Sequence, residues 1–246
     1  MKRFFILALL VVCAAALYAE ETRLYTIDFE EPDYTPGEIT GQQGWTKLGW
    51  YVADGSVVVN DPVTAAEGEQ YLQGNDGGSY GAANHYKTID ISASYVAGTK
   101  LRIGAYLLCP STATENFFLK LHNLGATGRT YDVELAEIQL SPSGSLYVYG
   151  KDRVSVSGLT QDAWHHVSIV IDPPTKTIES AEVDGEPLSG TPILYKSYDE
   201  EGANDIIDGL RFMKSGCLDG FTVDAVPEPA VLALLALIGL FAARKN

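Results

Sequence analysis

Cysteine, histidine, methionine and positive charge are all scarce in this chain. Its 246 residues include three Cys, four His, two Met and 17 Lys+Arg, against 32 Asp+Glu. The formal net charge is −15. A surface of that sign repels nucleic acid and anionic lipid, and no basic stretch supplies a nucleic-acid footprint. It suits divalent cations and cationic surfaces, and it suits simple solubility equally well. His85 and His122 are isolated, and no His/Cys spacing suggests zinc. His165 and His166 are adjacent, so on a strand they face opposite sides, with one buried beside Trp164. No G-x-S-x-G pattern or other nucleophile–base arrangement stands out. Between residues 20 and 225 there is no long amphipathic helix pattern, no fixed-period repeat and no internal linker.

What the sequence does contain is a packed core in short pieces. Hydrophobic residues make up 46% and aromatics 10%, the composition of a globular domain. The length fits one sandwich or barrel domain plus targeting segments. Apolar-alternating runs are separated by Gly, Pro, Asn, Asp and Ser. They predict strands at 25–30, 56–60, 85–91, 100–108, 116–122, 132–140, 145–150, 164–172, 177–185, 208–213 and 219–226. Asp184-Gly185 reads as a tight hairpin turn, and residues 141–144 as another turn. Strands at this spacing predict an all-β sandwich over residues 20–225.

The two ends read as targeting signals. Lys2 and Arg3 precede an apolar segment from Phe4 to Leu17, and Ala19 closes a signal peptide over residues 1–19. Cleavage after Ala16 is the alternative, and Cys13 follows Val12, a poor lipidation context. Removal of Cys13 leaves Cys109 and Cys217, which can pair with each other or stay reduced and buried. At the other end, Ala230–Ala243 is apolar throughout. As a helix it rises about 21 Å, short of a hydrocarbon core of about 30 Å, so it predicts a weak single membrane helix. Arg244 and Lys245 belong on its cytoplasmic side. Pro229 can open that helix, Glu228 suits its positive end, and Pro227 holds the preceding strip extended. An extended strip at the membrane surface is the geometry a processing protease needs.

Pro227-Glu228-Pro229, the apolar helix and Arg244-Lys245, in that order, closely resemble the PEP-CTERM sorting signal over residues 226–246. The resemblance implies an exosortase-type membrane enzyme as partner. It also implies transient anchoring in the inner membrane of a Gram-negative bacterium, then delivery to the cell surface or extracellular matrix. A second resemblance lies in residues 159–188, where a Trp opens a strand and the next ends in Val183-Asp184-Gly185. With residues 28–45 and the closing strands, this looks like a concanavalin A-like jelly roll of the laminin-G-like kind. It implies a binding or structural module, with extracellular polysaccharide as a possible ligand class.

Three constellations carry chemistry on this reading. Glu182, Asp184 and Glu186 match the E-x-D-x-E pattern of laminarinase-type glycoside hydrolases, which share the jelly roll. There the three carboxylates lie on one face of one strand. Here Gly185 interrupts the pattern, so a solvated hairpin is the better account and glycoside hydrolysis the alternative function. Asp28 and Glu30 in the first strand, with Asp219 and Asp224 in the last, are candidates for a structural Ca²⁺ at a first-to-last strand junction. The alternative is edge charges that discourage aggregation. Trp45, Trp50 and Tyr51 are candidates for a sugar-stacking platform, with core packing at the sandwich edge as the alternative. The Gly-rich stretch 73–85 reads as a long exposed loop.

Overall fold

A computed structural model describes residues 21–48, 56–59, 63–74, 83–123, 133–196 and 207–227. The signal peptide, Trp50, Tyr51, Glu228, Pro229, Arg244, Lys245 and the apolar run at 230–243 lie outside the described residues. Among the described residues no helix is long and apolar enough to cross a membrane.

Among the described residues seventeen strands follow one another. The first six are β1 (Thr22–Ile27), β2 (Gly37–Glu38), β3 (Thr46–Lys47), β4 (Ser56–Val59), β5 (Gln70–Gln73) and β6 (Asn84–Thr88). Then come β7 (Lys100–Leu108), β8 (Phe117–His122), β9 (Glu134–Leu140), β10 (Ser145–Tyr149), β11 (Arg153–Ser157) and β12 (His165–Asp172). The last are β13 (Thr177–Val183), β14 (Glu186–Pro187), β15 (Ile193–Leu194), β16 (Gly209–Met213) and β17 (Cys217–Val226). Every pairing among them is antiparallel.

They form two sheets packed face to face. The larger has ten strands, in the order β14-β13-β12-β7-β17-β5-β4-β2, with β1 on β17 and β15 on β13. The smaller has seven, in the order β11-β10-β9-β8-β16-β6-β3. β17 holds the larger sheet together. One edge pairs with β7 along its length, while the other pairs with β5 at Cys217–Leu218 and with β1 at 221–225. The first and last strands of the domain are therefore neighbours, as expected of this architecture.

Alternation along each strand separates core from surface. In β7, Leu101, Ile103, Ala105 and Leu107 point inward, and Arg102, Gly104 and Tyr106 point outward. Opposite them stand Phe117, Leu119 and Leu121 of β8 with Leu210 and Phe212 of β16, all fully buried. Each such side chain contributes about 1.5–3 kcal/mol relative to solvent exposure. One continuous core fills the space between the sheets. A small satellite of Tyr71, Leu108 and Cys217 lies on the other side of the ten-stranded sheet, closed over by Val63, Ala65 and Trp164. This is an antiparallel jelly-roll sandwich. Cys109 and Cys217 are both buried and are not joined in a disulfide.

Candidate functional site

Trp45 is a correction to the sequence expectation. It is fully buried, its Nε1 donates to the Tyr34 hydroxyl at 3.3 Å, and its ring packs beside Phe29. A ring with no exposed face cannot stack on a sugar, so Trp45 is a core residue. Trp50 and Tyr51 lie outside the described residues.

The strand junction proposed for calcium exists, but its carboxylates are engaged separately. Asp224 accepts from Arg23 Nε at 2.5 Å. Glu30 Oε1 accepts the backbone N–H groups of Glu69 and Gln70, both at 2.8 Å, and Asp28 accepts that of Glu30 at 3.2 Å. Asp219 is fully buried and accepts the N–H groups of Glu67 and Gly220, each at 2.8 Å. Burial pushes its pKa up to about 7, against the opposing pull of those backbone donors. Among the described residues no group of three His, Cys, Asp or Glu side chains is gathered to hold a metal ion.

The hairpin at 182–186 behaves as its Asp-Gly turn demands. β13 ends at Val183, Asp184 and Gly185 both have positive φ, and Val183 pairs with Glu186 across the turn. Asp184 points back into the sheet, accepting from His165 Nδ1 at 2.7 Å and from the His166 backbone N–H at 2.9 Å. His165 is buried beside Trp164, and its Nε2 contacts the Thr160 carbonyl at 2.8 Å. The three carboxylates do not share a strand face.

The richest constellation lies elsewhere, on the outer face of the seven-stranded sheet. Strand register sets two rows across it. One runs Arg153, Tyr149, Glu137, Lys120, Arg211 and Tyr86; its neighbour runs Ser155, Tyr147, Gln139, Phe118, Met213 and Asn84. At the centre, Lys120 Nζ lies 2.6 Å from Glu137 and 3.0 Å from Glu134. Lys196 Nζ lies 2.5 Å from Glu134 and 2.9 Å from Glu137. Gln139 donates to Glu137 and accepts from Asn116. Beside this quartet, Phe118 lies under Lys120 and Lys214, and Arg153 lies over the half-buried Tyr147.

A register shift assembles the quartet. Strict alternation puts Glu134 and Glu137 on opposite faces, because two residues separate them. The irregularity between Leu121 and His122 turns both Leu135 and Ala136 into the core and brings Glu134 around to Glu137. Lys196 is seated by its own backbone N–H, which donates to the Leu135 carbonyl at 3.0 Å. Burial raises the Glu134 carboxyl, and its hydrogen bond with Glu137 raises it further. Burial also works to raise Glu137, but hydrogen bonds from Glu134, Lys120, Gln139 and Lys196 prevail and hold it well below its ordinary value.

Beside this lattice β8 ends in His122. It lies two residues beyond Lys120 and opposite Gly209, and it is fully buried. Neither ring nitrogen has a hydrogen-bond partner among the described residues. Burial, then the charges of Arg211, Lys120 and Lys196, press its pKa down to about 4 against the pull of Glu137. Sequence reading marked residues 116–122 and 132–140 as strands but singled out none of these side chains. The signal was there in part, since Lys120 and His122 alternate with Leu119 and Leu121.

No family model and no curated protein matches the chain. Solved structures do resemble it in fold. An endo-1,3-β-glucanase from Streptomyces sioyaensis superposes with a TM-score of 0.59 at 11% identity, over 85% of this chain and 98% of the glucanase. A carbohydrate esterase from the Shiga toxin-encoding bacteriophage phi24B gives 0.54 at 15% identity, over 85% of this chain and 100% of the esterase. A sialidase gives 0.55 at 13% identity, over 83% of this chain but only 19% of the sialidase. At such identities the resemblance speaks for the jelly-roll sandwich alone.

Proposed function

We propose that this protein is exported to the bacterial surface or extracellular matrix and that its jelly-roll domain binds polysaccharide there. The observation that carries the binding reading is the outer face of the seven-stranded sheet. Half-buried Phe118, Tyr147 and Tyr149 lie beside a dense lattice of carboxylates, ammoniums and amides. Flat apolar rings with fixed donors and acceptors beside them match a sugar's C–H faces and hydroxyls. That the glucanase, esterase and sialidase share the fold supports the ligand class by analogy. The sorting reading rests on Pro227-Glu228-Pro229, the apolar run and Arg244-Lys245. Replacing the three motif residues with alanine should retain the protein in the membrane fraction; unchanged delivery to the surface sinks that part.

A glycan array probed with the full chain tests the binding reading. Selective binding that drops at least tenfold in Tyr147→Ala and Tyr149→Ala supports it. No glycan bound, or variants that bind as the parent does, removes it.

A second reading, glycoside hydrolysis, is favoured by one observation: Glu134 and Glu137 are pushed in opposite directions, as an acid and its partner must be. Geometry speaks against it. Hydrolytic carboxyls stand at least about 5 Å apart to admit the sugar, whereas these two converge on the same two ammoniums, Lys120 and Lys196, which fill the space between them. Release of reducing ends from a glucan, lost in Glu137→Gln, would restore the enzyme reading.

A further inference from the structure

The sheet edges differ in how they are closed. A free strand edge presents a row of unpaired N–H and C=O groups, and proteins blunt it by shortness, charge or a bulge. In the ten-stranded sheet β2, β14 and β15 have two residues each, and β2 and β14 carry Glu38 and Glu186. β1 is longer, but its register breaks between Arg23 and Tyr25. In the seven-stranded sheet β3 has two residues and ends in Lys47. β11 is different. Its five residues pair with β10 in unbroken register from Arg153 to Ser157, and it ends the sheet. Among the described residues its backbone is hydrogen-bonded to no other element. Its one charge is folded away from the edge, since Arg153 lies 5.4 Å over the Tyr147 ring and donates to the Tyr149 hydroxyl at 3.4 Å. Gly190 lies against Val154 on the core side, so β11 is open only laterally.

The strand's own sequence indicates what covers it. A two-fold pairing of identical strands requires that residue i meet j and j meet i. Centred on Ser155, the run Arg153-Val154-Ser155-Val156-Ser157 sets each Val154 against Val156 of the second copy and Ser155 against itself. This register pairs all five residues, whereas one centred on Val154 or Val156 pairs only three. We propose that β11 pairs antiparallel with β11 of a second copy of this chain, about a two-fold axis at Ser155, joining the two seven-stranded sheets edge to edge. Val156, half-buried in one copy, is then closed over by Val154 of the other. The Ser155 hydroxyls meet on the outer face, where such pairs hydrogen-bond across strands. Charge also selects this edge. Each copy carries −15, yet β11 itself brings no carboxylate, and the two Arg153 side chains stand at opposite ends of the seam, each across from Ser157. A seam of five residues is small beside the roughly 1,200–2,000 Å² of a stable complex, so the dimer population follows protein concentration. The inference goes beyond the glycan-binding reading and does not depend on it. On that reading, the row of Phe118, Gln139 and Tyr147 continues through the seam into its symmetry mate, with the two Tyr147 residues three strand spacings, about 14 Å, apart.

The test is sedimentation of the full chain in mild detergent over a hundredfold range of concentration, with charged variants at the residue that faces itself. Ser155 is exposed, so Ser155→Lys and Ser155→Glu leave the packing of the single copy intact. Each sets like charges against each other across the axis and should weaken dimerisation at least tenfold. Mixing the two variants in equal amounts should restore a dimer, which neither a folding defect nor association through the apolar run at 230–243 would produce. Register is read by cysteine substitution. Ser155→Cys should form an intermolecular disulfide on oxidation, seen as doubled mass on a non-reducing gel. Ser157→Cys, which faces Arg153, should do so at least tenfold more slowly. A parent that stays monomeric over the whole range overturns the proposal. A dimer that both charged variants leave intact overturns it as well, as does a mixture of the two that fails to associate. None of these outcomes bears on the glycan array, and failure of the array leaves the dimer standing.

Discussion

On the outer face of the ten-stranded sheet, Asp219 is fully buried and both its oxygens are occupied by backbone N–H groups. On the outer face of the seven-stranded sheet, His122 is just as buried and neither nitrogen is occupied among the described residues. The contrast extends across both faces. On the first, Trp164 donates to the Thr64 carbonyl at 2.7 Å and packs edge-on against Tyr71, His165 is held at both nitrogens, and Arg23 is paired with Asp224. Polar groups there fasten loop to sheet. On the second, polar groups fasten one another into a lattice that leaves donors over. The same residue types thus serve closure on one side and, on the binding reading proposed above, reception on the other. Substitutions on the closed face should cost folding and spare binding, and those on the receptive face should do the reverse.

The largest expected effect is Asp219→Ala. It leaves two buried N–H groups without an acceptor and releases the segment around Glu67. A loss of about 3 kcal/mol follows from the usual cost of such orphaned donors, measured by chemical denaturation. Glycan affinity of the folded fraction should stay within twofold. A stable variant, or one that folds normally but loses binding, breaks the contrast.

The pH dependence of stability sharpens it, because the two buried groups titrate with opposite sign. Asp219 is raised from 3.8 to about 7. Its contribution to stability is therefore fully present below pH 4 and lost as pH rises to 7. His122 is lowered from 6.5 to about 4. The unfolded chain takes up that proton first, so its contribution is present above pH 6.5 and lost as pH falls to 4. In the parent the slopes oppose each other between pH 4 and 6.5, each limited to about 1.4 kcal/mol per pH unit. Asp219→Asn should unmask a stability that rises with pH in this window, and His122→Leu one that falls. Thermal denaturation at half-unit pH steps reads both, and slopes unchanged from the parent would refute the assignment.

How much of this was legible in the sequence depended on whether a residue's role is local. The strand at 100–108 was readable residue for residue, since β7 alternates apolar and polar over its whole length. The turn at Asp184-Gly185 was readable because only a narrow set of residues accepts positive φ. β5 was missed because Gln70–Gln73 is short and buried on both sides, leaving no alternation to detect. β11 was missed because Arg153–Ser157 offers only two apolar residues. Trp45 failed as a platform because a tryptophan at a sandwich edge has the same sequence context whether it faces in or out. The Glu134–Glu137 pair was hidden for a sharper reason. Period-two alternation places them on opposite faces, and only the register slip at His122, set by pairing between strands, reverses that.

The smallest effect is expected where the sequence pattern was most suggestive. Glu182 lies on the closed face across from Ser168, and Glu186 is exposed beyond the turn. Neither belongs to the lattice around Glu137, and Asp184 between them is committed to His165 and the His166 backbone. Glu182→Gln and Glu186→Gln should each change stability by less than about 0.5 kcal/mol and leave glycan affinity unaltered. The result is informative because an acid–nucleophile arrangement tolerates neither substitution. If either variant lowers binding or abolishes a hydrolytic activity, the working surface belongs on the ten-stranded side. If both are silent while Tyr147→Ala and Tyr149→Ala are not, binding is confined to the outer face of the seven-stranded sheet.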